Sequence, residues 1–136
     1  MSSDWTEPCI EDDTSGHCYH LFDTYVTWKN AFQLCQLDGG NLVTIESFKE
    51  QKFIEDLIVK RKWHGNTLWI GSEKLHPEEQ RAWTNGNKMS YSNWSPDSPD
   101  SPLIDENCLE INTDDGTWND EKCTEQNGYI CENSST

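Results

Sequence analysis

Positive charge is scarce in this chain of 136 residues: ten Lys and Arg face 25 Asp and Glu, for a net charge of −15. Phosphate backbones and anionic lipid headgroups would both be repelled, so nucleic acid and membrane surfaces are poor partners. Long apolar runs are missing too. Nothing approaches the ~20 residues of a membrane span, so direct membrane insertion is not expected. The start, Met1-Ser2-Ser3-Asp4, holds no apolar leader, and Met1 reads as a start residue added to an excised fragment. Catalytic signatures are lacking: there is no Gly-x-Ser-x-Gly elbow, no phosphate loop, and no Cys-His pair once the cysteines are bridged. An enzyme is therefore not expected. Zinc spacing is absent as well, since no Cys-x-x-Cys occurs and His17, His20, His64 and His76 are scattered.

What the chain does have is six cysteines, at 9, 18, 35, 108, 123 and 131, an even number in a small Trp-rich sequence. That usage reads as disulfides and an extracellular setting, secreted or in the ectodomain of a membrane protein. Six cysteines permit ~15 pairings, which arithmetic alone does not choose among. The length suits one domain. Residues 26 to 36 read as an amphipathic helix, because Trp28, Ala31, Phe32 and Cys35 fall at i, i+3, i+4 and i+7. Gly39-Gly40 ends it, and Leu42, Val43 and Ile45 make a short strand. A second helix should start at Ser47, with Glu50 as its capping-box partner and Phe53, Ile54, Leu57 and Ile58 as its buried stripe. From Thr67 the pattern changes to short β pieces at 67 to 71, 80 to 84, 108 to 111 and 128 to 131, which makes the class α+β. Trp28, Trp69, Trp83, Trp94 and Trp118 read as core, whereas Trp5 and Trp63 are free to lie on the surface. Between Trp94 and Cys108 lies a Pro-rich, acidic stretch that reads as a long, functional loop.

Around that stretch the oxygen-bearing side chains collect. Ser98-Pro99-Asp100, then Glu106 before Cys108, then Trp118-Asn119-Asp120 before Cys123, bring three carboxylates and an amide to one region. Hard cations such as calcium take six to eight oxygen ligands, and this set supplies them. Other elements extend the pattern: Cys18-Tyr19, Gly40-Asn41-Leu42-Val43-Thr44-Ile45-Glu46-Ser47 leading to Glu50, Trp69-Ile70-Gly71, and Tyr129-Ile130-Cys131-Glu132. In this order the set resembles the C-type lectin domain from Cys9 to Glu132, and residues 46 to 54 look most like the asialoglycoprotein receptor branch. The domain would then be 9–132, between tails 1–8 and 133–136.

The resemblance implies a C-type lectin fold, two helices flanking small antiparallel sheets, with bridges Cys9 to Cys18, Cys35 to Cys131 and Cys108 to Cys123. It implies one calcium in the upper loops, held by Ser98, Asp100, Glu106, Asn119 and Asp120. A glycan would bind through it, contacting Ser98, Asp100, Glu106 and Asn119, and a glycoprotein could be what carries that glycan. The family writes the first triplet as Glu-Pro-Asn for mannose-type or Gln-Pro-Asp for galactose-type sugars. Asp100 fits the second, so galactose or N-acetylgalactosamine is expected, and Ser98 is the departure. The auxiliary calcium of many members is expected to be lost, because Lys74, Ser101 and Asn107 replace its acidic ligands and only Glu78 remains. A second, structural calcium is implied at Thr44, Glu46, Glu50 and Glu132, where the alternative is that Glu50 serves only as a cap partner. On the same scaffold, recognition of a protein or ice surface with calcium structural only is the alternative function.

Overall fold

The computed structural model describes residues 10–11, 17–63, 66–74, 81–96 and 107–134. The first long strand, β2 (His17–Val26), follows a short β1 (Ile10–Glu11) and lies antiparallel to the last, β7 (Asn127–Ser134), from His17 opposite Ser134 to Phe22 opposite Tyr129. This pairing joins the two ends of the domain. Helix α1 (Trp28–Leu37) follows, capped by Thr27, whose Oγ1 accepts from the Asn30 N–H at 3.3 Å. Gly39, at φ +88°, turns the chain out of the helix into β3 (Asn41–Leu42), which pairs with the other edge of β7.

Ser47 begins α2 (Phe48–Arg61) as expected, its Oγ accepting from the Glu50 N–H at 3.1 Å. The reciprocal contact differs from a capping box: Glu50 Oε1 accepts from the Glu46 N–H at 2.6 Å, one residue earlier. Strands β4 (Thr67–Glu73), β5 (Cys108–Asn112) and β6 (Trp118–Glu121) complete the sheet in the order β1-β2-β7-β4-β5-β6. Among the described residues every strand pairing is antiparallel except β4 with β7. The sheet is therefore mixed rather than wholly antiparallel, since neither strand reaches the other by a hairpin. Of the strand expected at 80 to 84, the described residues 81–84 make only an isolated bridge, Ala82 to Lys88.

Successive side chains of a strand point to opposite faces, and the core divides accordingly. Leu68, Ile70, Leu109, Ile111 and Ile130 pack with Ile54, Leu57 and Ile58 of α2, whereas Trp69, Cys108, Tyr129 and Cys131 pack with Trp28, Ala31 and Cys35 of α1. The helices thus cover opposite faces of one sheet. Cys35 is bonded to Cys131 and Cys108 to Cys123. Cys18 is also bridged, and its expected partner Cys9 lies outside the described residues. Trp28, Trp69, Trp83 and Trp118 are buried as expected, Trp94 is half-buried, and Trp63 packs against the core instead of lying free on the surface.

Candidate functional site

Trp118 anchors β6 to the core. Its Nε1 donates to Gln51 Oε1 at 3.0 Å, and Trp83, Tyr91 and Trp94 meet its ring edge-on. Asn119 and Asp120 follow on a strand held from both sides. On one side Trp118 N–H donates to Asn93 O and Ser95 N–H donates to Trp118 O; on the other, Leu109 of β5 faces Asp120. The chain thus enters segment 97–106 along one side of β6 and leaves it along the other. Ser98, Asp100 and Glu106 belong to that segment and lie outside the described residues, as does Glu78.

Asn119 Oδ1 accepts a short hydrogen bond from Ser95 Oγ. Asp120 Oδ1 sits 2.7 Å from Nη2 of Arg81, with the Asp120 side chain fully buried and the Arg81 side chain 8% exposed. Arg81 Nη1 also donates to Ser72 Oγ and to Asn107 O, each at 3.1 Å. Burial lowers the Arg81 guanidinium below its ordinary pKa, and the Asp120 charge opposes that shift. Sequence reasoning missed Arg81, because a cation 39 residues from its carboxylate leaves no local signal. The donors at Asn119 and Asp120 are hard oxygens that suit calcium, and the buried carboxylate calls for a positive charge. Here Arg81 supplies one.

Thr44, Glu46, Glu50 and Glu132 are brought together by the turn from β3 into α2 and by the end of β7. With His17, Asn41, Thr84 and Asn85 they line a cavity of about 190 Å³. Glu132 Oε1 accepts from Thr44 N–H at 2.7 Å, and its Oε2 lies 2.8 Å from His17 Nδ1. Thr44 Oγ1 donates to Glu46 Oε2 at 3.1 Å, and the Asn85 and Asn87 amides donate to the two Glu46 oxygens, each at 2.9 Å. Burial pushes the Glu132 carboxyl above its ordinary value and the Glu50 charge adds to the rise, against the Thr44 N–H and His17. Burial also works to raise Glu46, but the bonds from Asn85, Asn87 and Thr44 outweigh it and leave that carboxyl lowered. Three carboxylates around one cavity fit a calcium ion by charge and donor type. The amides of Asn85 and Asn87 were not anticipated in this cluster.

Two further candidates have structural uses. Glu73 lies beside Cys108 and Cys123, but the bridge between those cysteines consumes both sulfurs as metal ligands. Asn93, in a formal glycosylation triplet, donates its amide to Gly116 O at 2.8 Å.

The family model described as the Lectin C-type domain matches residues 24–133. The galactose-specific lectin nattectin of Thalassophryne nattereri is 31% identical over 114 residues, 84% of this chain and 72% of that protein. C-type mannose receptor 2 of Mus musculus is 32% identical over 133 residues, which cover 93% of this chain but only 9% of the receptor. Among solved structures, the mouse scavenger receptor C-type lectin carbohydrate-recognition domain superposes with a TM-score of 0.81 at 27% identity, covering 96% of this chain and 99% of that one. A calcium-independent type II antifreeze protein superposes with a TM-score of 0.76 at 25% identity, covering 98% and 94%.

Proposed function

The chain belongs to the C-type lectin domain family, and from that premise we propose that it binds a galactose- or N-acetylgalactosamine-type glycan through calcium held by Ser98, Asp100, Glu106, Asn119 and Asp120. One observation carries the reading: β6 carries Asn119 and Asp120 at consecutive positions, and the residues that flank segment 97–106 lie on the two sides of that strand. A lectin of the same family that is 31% identical is galactose-specific, which supports the choice of sugar. Bound calcium would supply coordination places for two vicinal hydroxyls. The chain's own share is orientation: the Asn119 amide N–H donates to a hydroxyl oxygen, and the carboxylates of Asp100 and Glu106 accept hydroxyl protons. The setting is extracellular, secreted or in a receptor ectodomain, which the disulfides support. A second, structural calcium belongs with Thr44, Glu46, Glu50 and Glu132, on the strength of their shared cavity and their charge.

The test is a glycan array run in calcium and in chelator. Binding of galactose-terminated glycans that chelator abolishes is expected, and the absence of any calcium-dependent glycan signal would defeat the lectin reading. A second reading is a module that recognises a protein or ice surface with calcium structural only. It is favoured by the Arg81–Asp120 pair, which gives Asp120 a partner without metal.

A further inference from the structure

We propose that Arg81 is a built-in counter-ion of the loop site: its guanidinium holds Asp120 when no metal is bound and competes with calcium for that carboxylate. The inference rests on Asp120 as a calcium ligand and deepens it by naming what sets the calcium demand of the site. Three acceptors from separate parts of the chain fix the guanidinium: Asp120 Oδ1 on β6 at 2.7 Å, Ser72 Oγ on β4 at 3.1 Å, and Asn107 O just before β5 at 3.1 Å. Ser72 is itself fully buried and donates its hydroxyl to Ala82 O at 2.8 Å, so this acceptor is held in place from behind. The guanidinium carbon lies 5.9 Å from the centre of the Trp94 ring, beside the chain that leads into segment 97–106. Arg81 therefore ties together the strand that carries Asp120, Asn107 just before β5, and the Trp94 ring.

The consequence follows from charge. An arginine stays protonated at any pH the protein meets, so it does not vacate the carboxylate by losing a proton. Calcium arriving at Asp120 must either displace the guanidinium from a buried position or sit a few ångströms from it, and both cost binding free energy. The same contact makes the end of β6 less dependent on metal, because Asp120 is never left as an unpaired buried charge. The loop site is therefore ordered on its β6 side without calcium, and fills only at calcium concentrations higher than the oxygen donors alone would require.

Calorimetric titration of calcium into the wild-type chain, Arg81→Met and Arg81→Met/Asp120→Asn tests this. Arg81→Met is expected to bind loop calcium about tenfold or more tightly than wild type, through relief of like-charge repulsion. The double variant should lose that gain. Equal calcium affinity in wild type and Arg81→Met overturns the role of Arg81. If the glycan signal still depends on calcium, the lectin reading survives that result; if loop calcium is absent from both proteins and the array is silent, both fail. Should Arg81→Met not fold, thermal unfolding of Asp120→Asn in chelator decides. A lowered midpoint without calcium is expected, because the partner of Arg81 has been neutralised, and an unchanged midpoint overturns the proposal.

Discussion

Glu110 is buried on β5, its Oε1 accepting from Asn127 Nδ2 at 2.9 Å. Burial pushes its carboxyl up to about 7 from the ordinary 4.5; the charges of Glu121 and Glu125 add to the rise, and bonds from Asn127 and Thr67 oppose it. Between those two values the folded chain holds a proton that the unfolded chain releases. Its contribution to stability is therefore complete below pH 4.5 and lost as pH rises through 7. Glu110→Gln should remove this loss, exceeding wild type at pH ~8 by on the order of 3 kcal/mol and by far less at pH ~5. Urea denaturation at both pH values measures it, and a gap that does not change with pH would contradict the account. The sequence offered no hint of this residue, which sits inside an apolar stretch read simply as a strand. Arg81 was equally invisible. Asn119 and Asp120 drew notice as candidates because they follow Trp118 directly, and three consecutive residues keep one local order wherever the strand lies.

At the scale of elements, local chemistry was a good guide where a signal lies within one turn. The Ser47 cap fell where expected, because its hydroxyl needs only the amide three residues on. Strand β2 was not foreseen, since its exposure does not alternate and its pairing partner lies at the other end of the chain. The junction between β3 and α2 brings Thr44, Glu46 and Glu50 against Glu132 of β7, and a cation there would tie these elements together. Calcium at a hundredfold excess over its dissociation constant should stabilise the wild-type chain by ~2.7 kcal/mol for one site. Thermal unfolding with calcium and with chelator should show this site's share of the shift lost in Glu132→Gln and kept in Asp120→Asn, which loses the loop site's share instead. A calcium shift of equal size in Glu132→Gln and wild type would remove this cluster as a metal site.

For the whole molecule, the two described disulfides do different work. Cys35–Cys131 closes a sequence separation of 96 and fastens α1 to β7, whereas Cys108–Cys123 closes 15 residues around β6. Loop-closure entropy gives the first up to ~4.7 kcal/mol and the second ~3. Replacing both Cys35 and Cys131 with Ala should therefore lower the urea midpoint more than replacing Cys108 and Cys123, and the opposite ranking would show that native packing outweighs chain entropy. The acidic balance, the even cysteine count, the helix starts and the order of motifs were determined by the sequence alone, since each is a matter of composition or of neighbours within a turn. The tertiary structure decided the rest. It set the parallel contact of β4 with β7, the convergence of Glu46 and Glu132 on one cavity, and the seating of Arg81 on Asp120. Each of these joins residues far apart in the chain, and only the packing of both helices against a single sheet determines which distant side chains meet.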